Sequence, residues 1–174
     1  PILFAKTPNV LVGPGEPIVL PALAHEYGFK NVRTHYESEL ALIVGRRCRG
    51  ISEEEALDAL FGLTAMNDVS QRNIQSADKS GWFRGKSFDT FGPIGPRIVK
   101  LRDVPDVQSL GIRGRLNGKT VQDGNTRDMI FPVPFLISFI SRQFTLEEGD
   151  IIMTGTPASC SARVNFMMKS LVRA

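Results

Sequence analysis

Glu37 and Glu39 flank Ser38 just before the apolar run Leu40 to Val44. In a strand, residues i and i+2 project to the same face, so the two carboxylates stand side by side, in line with Ala41 and Ile43. Two like charges on a half-buried face repel each other and lose hydration, which is costly unless something compensates. A divalent cation is the simplest compensation. The alternative is a solvated strand face whose polar positions are acidic. Asp68, at the end of the apolar segment that closes with Met66-Asn67, supplies a third carboxylate, or else forms a turn with Asn67. Three carboxylates with no clustered histidine or cysteine are hard oxygen donors, suited to magnesium, manganese or calcium and not to zinc. Three side-chain ligands leave about three octahedral positions for water or substrate, the pattern of a catalytic site.

Lys86 lies between Gly85 and Ser87 in a segment that also carries Trp82, Phe83, Phe88 and Phe91. Desolvation among such rings lowers a lysine pKa and suits it to carry a proton. The alternative is a surface lysine whose stem covers aromatic packing. Gly155-Thr156-Pro157 offers N–H and hydroxyl groups to an anion, or is a plain turn. His25 and His35 have no partners at ligand spacing and read as structural. Cys48 and Cys160 match no metal spacing and read as free thiols of a cytosolic protein.

The elements that must position these residues read as many short strands and two helices. A strand is expected over 32–44, a short strand bracketed by Pro17 and Pro21, and others at 97–101 and 151–154. A helix is expected over 52–60, with Ser52 and Glu55 as a capping box, Ala56, Leu57, Leu60 and Phe61 as its stripe, and Gly62 ending it. Residues 70–79 read as polar loop. Asn117-Gly118 predicts a type I′ turn in a hairpin over 110–122, and Pro134 opens a second helix with Phe135, Leu136, Phe139 and Ile140 on one face. The β-α-β alternation of a doubly wound sheet is missing, so the fold class is mainly β, or α+β.

The 174 residues are 42% hydrophobic and 22% charged, the composition of one globular domain. Lys plus Arg number 21 and Asp plus Glu 18, giving a net charge of +3 with no basic block, which argues against a nucleic-acid partner. No apolar run approaches the roughly 18 residues of a membrane span, and the opening residues do not read as a secretory leader. A cytoplasmic location is expected. Eleven Phe and one Trp are many for this length and predict an apolar patch closed by a two-fold dimer.

His35-Tyr-Glu-Ser-Glu-Leu-Ala41 resembles the Glu-x-Glu-Leu strand of the fumarylacetoacetate hydrolase family. Asn67-Asp-Val-Ser-Gln-Arg-Asn73 with Gln75, Gly85-Lys-Ser-Phe-Asp-Thr90 and Gly92-Pro-Ile-Gly-Pro96 resemble its next segments. Asn117-Gly118, Asp128-Met-Ile-Phe131, Leu146-Glu-Glu-Gly-Asp150 and Thr154-Gly-Thr-Pro157 continue in family order. The branch it is most similar to holds 5-carboxymethyl-2-hydroxymuconate isomerases, decarboxylases and acylpyruvate hydrolases. The resemblance implies a mixed β roll over residues 1–157, with 158–174 an atypical tail. It implies magnesium or manganese held by Glu37, Glu39 and Asp68, a catalytic Lys86, and Arg72, Gln75 and Thr156 lining the substrate. It implies a homodimer acting on a small 2-oxo or 1,3-dioxo (di)carboxylic acid through a metal-stabilised enolate, by isomerisation, decarboxylation or C–C hydrolysis. Acylpyruvate hydrolysis or oxaloacetate decarboxylation is the alternative reaction. A disabled family member acting as a binding domain, or a structural calcium site, are the rival classes.

Overall fold

The computed structural model describes residues 1–79 and 82–158; the expected tail, from residue 159 onward, and Cys160 lie outside them. In chain order the elements are β1 (Leu11–Val12), α1 (Leu23–Glu26), β2 (Thr34–His35), β3 (Ser38–Val44), α2 (Glu53–Ala56), β4 (Leu60–Asn67), β5 (Ser70–Gln71), α3 (Arg72–Ala77), α4 (Phe83–Lys86), β6 (Gly92–Pro93), β7 (Val99–Lys100), β8 (Gly111–Leu116), β9 (Lys119–Asn125), α5 (Val133–Gln143) and β10 (Ile151–Met153). Short 3₁₀ turns join several of them. The α+β expectation holds, with more helix than the two segments foreseen.

The central sheet runs β10-β3-β4-β7, all antiparallel, with Glu39 opposite Met66, Ser38 opposite Asn67 and Ile152 opposite Leu42. The alternation of β3 is buried on both faces. Leu40, Leu42 and Val44 pack with Val133, Ile137 and Ile140 of α5 and with Leu146 and Ile152. Ala41 faces the other way, into a smaller cluster with Val10, Met66, Val69 and Phe91. Glu39 therefore shares the face of Ala41, as the period of two requires.

Local signals explain several boundaries. Ser52 caps α2: its hydroxyl accepts from the Glu55 N–H at 3.4 Å, and its own N–H donates to Glu55 Oε2 at 3.0 Å. The expected helix over 52–60 is shorter than foreseen. Residues 57–59 tighten into a 3₁₀ turn, and Leu60 already pairs with Val44. Sheet pairing to β3 outcompetes the helical stripe there, leaving Phe61 exposed and Gly62 inside β4, pressed against the backbone of Val99. The hairpin is longer than expected, 111–125, and turns on Asn117 and Gly118 with φ of 51° and 78°. The strand expected at 32–44 is split at Tyr36-Glu37, and no strand forms between Pro17 and Pro21. The expected loop at 70–79 holds β5 and α3, whose first turn is capped by the Gln71 side chain accepting from Ile74 N–H at 2.7 Å. Among the described residues, no helix is long and apolar enough to cross a membrane.

Candidate functional site

The split in the expected first strand is what builds the site. β2 pairs with β5, and β3 pairs with β4, so the chain changes partners at Tyr36-Glu37. There the Glu37 N–H donates to Asn67 Oδ1 at 2.9 Å, and the Glu37 carbonyl accepts from Asp68 N–H at 2.8 Å. The main chain thus clamps Glu37 beside Asp68, while Glu39 follows on β3. All three carboxylates are buried, at 7%, 5% and 1% exposure for Glu37, Glu39 and Asp68, and each offers an oxygen within 4.8 Å of the others.

Cations surround them. Lys86 ends α4, which packs so closely on α3 that a Cβ on Gly85 would lie 2.7 Å from the backbone nitrogen of Gln75. A side chain at 85 would force the two helices to shift. Lys86 is 2% exposed; its Nζ donates to Glu37 Oε2 at 2.5 Å and to Asp68 Oδ2. Lys6 Nζ donates to Asp68 Oδ1 at 2.6 Å. Arg72, at the start of α3, donates to Glu37 Oε1, to Gln75 Oε1 at 2.8 Å and to His35 Nδ1 at 3.2 Å.

Burial alone would raise the Glu37 carboxyl, but the Lys86 and Arg72 charges outweigh it and hold Glu37 below the usual carboxylate range. For Glu39 the balance falls the other way. Its burial, with the nearby Asp68 and Glu37 charges, pushes it up to about 8, against one hydrogen bond from Gly155 N–H at 2.7 Å and a weaker pull from Lys86. Burial lowers Lys6, though Asp68 resists the shift, and burial with the Arg72 and Arg33 charges lowers His35.

The donor set fits a hard divalent ion. Adjacent ligands of an octahedral magnesium lie about 3 Å apart and opposite ones about 4.2 Å, so a spread within 4.8 Å is within side-chain adjustment of that geometry. Glu39 is the carboxylate whose burial the cations offset least, and a divalent ion there would relieve it. The oxygen set has no thiol or imidazole in it, which suits a hard divalent ion rather than zinc.

The other expected residues divide. Arg72 adjoins the carboxylates but is turned onto Glu37 and so braces a candidate ligand, and Gln75 in turn accepts from Arg72. Thr156 donates to the Ser38 carbonyl at 3.1 Å and accepts from Gln122 Nε2 at 2.7 Å. It also lines a cavity of about 510 Å³ between β9, the loop after it and the end of β10. Sequence reading missed Lys6, whose only local signal is a lone cation in an apolar opening segment. It also set His35 aside as structural; His35 touches the site through Arg72.

A model of the fumarylacetoacetate (FAA) hydrolase C-terminal domain matches residues 1–173. The chain belongs to the fumarylacetoacetate hydrolase family. An uncharacterized protein of Archaeoglobus fulgidus is 44% identical over 158 residues, which are 91% of this chain and 59% of that protein. Two solved relatives carry activities in their names. The 5-carboxymethyl-2-hydroxymuconate delta-isomerase from Mycobacterium smegmatis aligns with a TM-score of 0.83 at 36% identity, over 91% of this chain and 59% of that one. Maleylpyruvate hydrolase from Sphingobium sp. SYK-6 aligns with a TM-score of 0.81 at 35% identity, over 93% and 56%. This family chain thus spans about three-fifths of the length of such relatives.

Proposed function

We propose that this family domain is the catalytic part of a divalent-metal-dependent enzyme acting on a small 2-oxo or 1,3-dioxo acid, by isomerisation, decarboxylation or C–C hydrolysis. One observation carries the reading: three buried carboxylates within 4.8 Å of one another, with the Lys86 ammonium 2.5 Å from one of them. Isomerase and hydrolase relatives with this fold support it.

Glu37, Glu39 and Asp68 would hold magnesium or manganese, which when bound supplies Lewis-acid polarisation of the substrate's keto oxygen. The chain's own residues do the rest. Arg72 fixes the Glu37 carboxylate by a charge-assisted contact, and Gln75 and His35 fix Arg72. Lys86 Nζ, buried beside the carboxylates, delivers or accepts the proton at the carbon next to the polarised carbonyl. Lys6 and Lys86 together offer positive charge to the substrate carboxylate. With the ion bound Glu39 would be ionised, so the three carboxylates and the three cations would cancel and the site would carry the ion's own charge of +2, a field that attracts acids.

The test is a screen of oxaloacetate, acylpyruvates and hydroxymuconate derivatives with magnesium or manganese and with chelator. Metal-dependent turnover of one class is expected; no turnover by the full-length protein with either metal overturns the proposal. A homodimer is part of it, supported by exposed apolar residues such as Ile130, 89% exposed, and Phe131 on one loop. Sedimentation giving a monomer at micromolar concentration would count against that part.

A further inference from the structure

We propose that Phe4 and Trp82 form the outer wall of this same site, and that the wall receives a flat, apolar tail on the 2-oxo acid; the assignment rests on the functional reading above. Trp82 immediately precedes α4, four residues before Lys86. The Phe4 ring bridges them. Its centroid lies 5.5 Å from that of Trp82, tilted by 57°, and 5.0 Å from Lys86 Nζ. Phe4 is also two residues from Lys6, which ion-pairs with Asp68. Phe4 therefore adjoins the lysine–carboxylate cluster directly, and Trp82 extends that surface outward.

Their exposure separates them from core aromatics. Phe91 is fully buried, whereas Phe4 and Trp82 remain 36% and 38% exposed. Open ring surface continuous with a buried polar cluster is the composition of a ligand site, with a few placed charges for orientation and apolar area beyond them. The neighbouring cation on α4 does not serve the wall. Arg84 is drawn to Tyr27, with its guanidinium carbon 5.8 Å from the ring centroid and Nη2 donating to the hydroxyl at 2.8 Å. What faces the tail is thus ring surface, suited to an aryl or conjugated chain and ill suited to a second carboxylate.

Trp82 is the one tryptophan of these 174 residues, so an emission change that Trp82→Leu abolishes reports the wall. The full-length protein is titrated in the presence of magnesium with two acids that share a chelating head, pyruvate and 2-oxo-4-phenylbutanoate. The phenyl acid is expected to bind about tenfold more tightly by calorimetry and to change Trp82 emission saturably, the size of one good aromatic contact. Phe4→Ala and Trp82→Leu are each expected to bring the ratio of the two affinities close to one, with an unfolding midpoint near that of the parent protein. A ratio near one in the parent, or an undiminished ratio in both folded variants, overturns the wall while leaving the metal site intact. Failure of both acids to bind in a magnesium-dependent way overturns the functional reading, and the wall with it.

Discussion

Replacing Glu39 by Gln tests the electrostatics of the site without relying on any substrate. Burial and the neighbouring Asp68 and Glu37 charges raise the Glu39 carboxyl from 4.5 to about 8. Between those values the unfolded chain carries a carboxylate and the native protein a carboxylic acid. The native state then binds one more proton, so its stability falls as pH rises. The slope approaches RT ln 10 per pH unit and flattens near pH 8, so the loss is roughly 2–3 kcal/mol between pH 5.5 and 7.5. Gln has no charge to lose, and its carbonyl can still accept the Gly155 N–H bond. Urea unfolding in chelator at both pH values should show the Glu39→Gln protein gaining roughly 2–3 kcal/mol on the parent across that window. Parallel stability–pH curves for the two proteins would refute the reasoning. Magnesium should reverse the order. At a hundred times its dissociation constant it adds about 2.7 kcal/mol to the parent, and much less to a variant lacking one charged ligand. The same linkage makes magnesium affinity of the parent rise almost tenfold per pH unit up to about pH 8, because binding must expel the Glu39 proton.

Lys86→Met should lower turnover by about 10²-fold or more while magnesium binds more tightly by calorimetry, since Glu37 and Asp68 lose an ammonium that competes for their oxygens; Lys86→Arg should not restore turnover, because a guanidinium stays protonated. Gly85→Ala should cost about 1–3 kcal/mol in urea unfolding and weaken turnover as well, because the new methyl meets the Gln75 backbone and shifts Lys86. Ser52→Ala should cost about 1 kcal/mol through the lost cap of α2 with metal affinity unchanged, a control that separates stability from the site.

Features encoded within a few residues were legible in the sequence. The Ser52–Glu55 box and the Asn117-Gly118 turn depend on local backbone geometry alone, and both form. The shared face of Glu39 and Ala41 follows from the strand period. Competition between distant segments was not legible. Leu60 and Phe61 fit a helical stripe, yet β3 captures them as strand. Glu37 falls where the chain switches sheet partners, and nothing in its neighbours announces that. α3 starts from a Gln cap, a residue type with weak cap preference. At the site, the three carboxylates could be named from residue type, whereas the pairing of Lys6 with Asp68 spans 62 residues and the turn of Arg72 onto Glu37 spans 35. Contacts at such separations are set by tertiary packing, which residue spacing does not report.

The double-sided burial of β3 also acts as a safeguard on assembly. A slip of one residue against β4 would exchange the faces of Ser38 and Glu39 and of Leu40 and Ala41. The Glu39 carboxyl would then enter the face packed by α5, and the large aliphatic side chains of Leu40, Leu42 and Val44 would leave it. Both changes are unfavourable, so a misregistered sheet has no stable core to settle into. Folding and site formation become one event: a molecule that has completed its central sheet has already aligned Glu39. In any preparation the number of metal-binding equivalents should therefore equal the number of cooperatively folded chains.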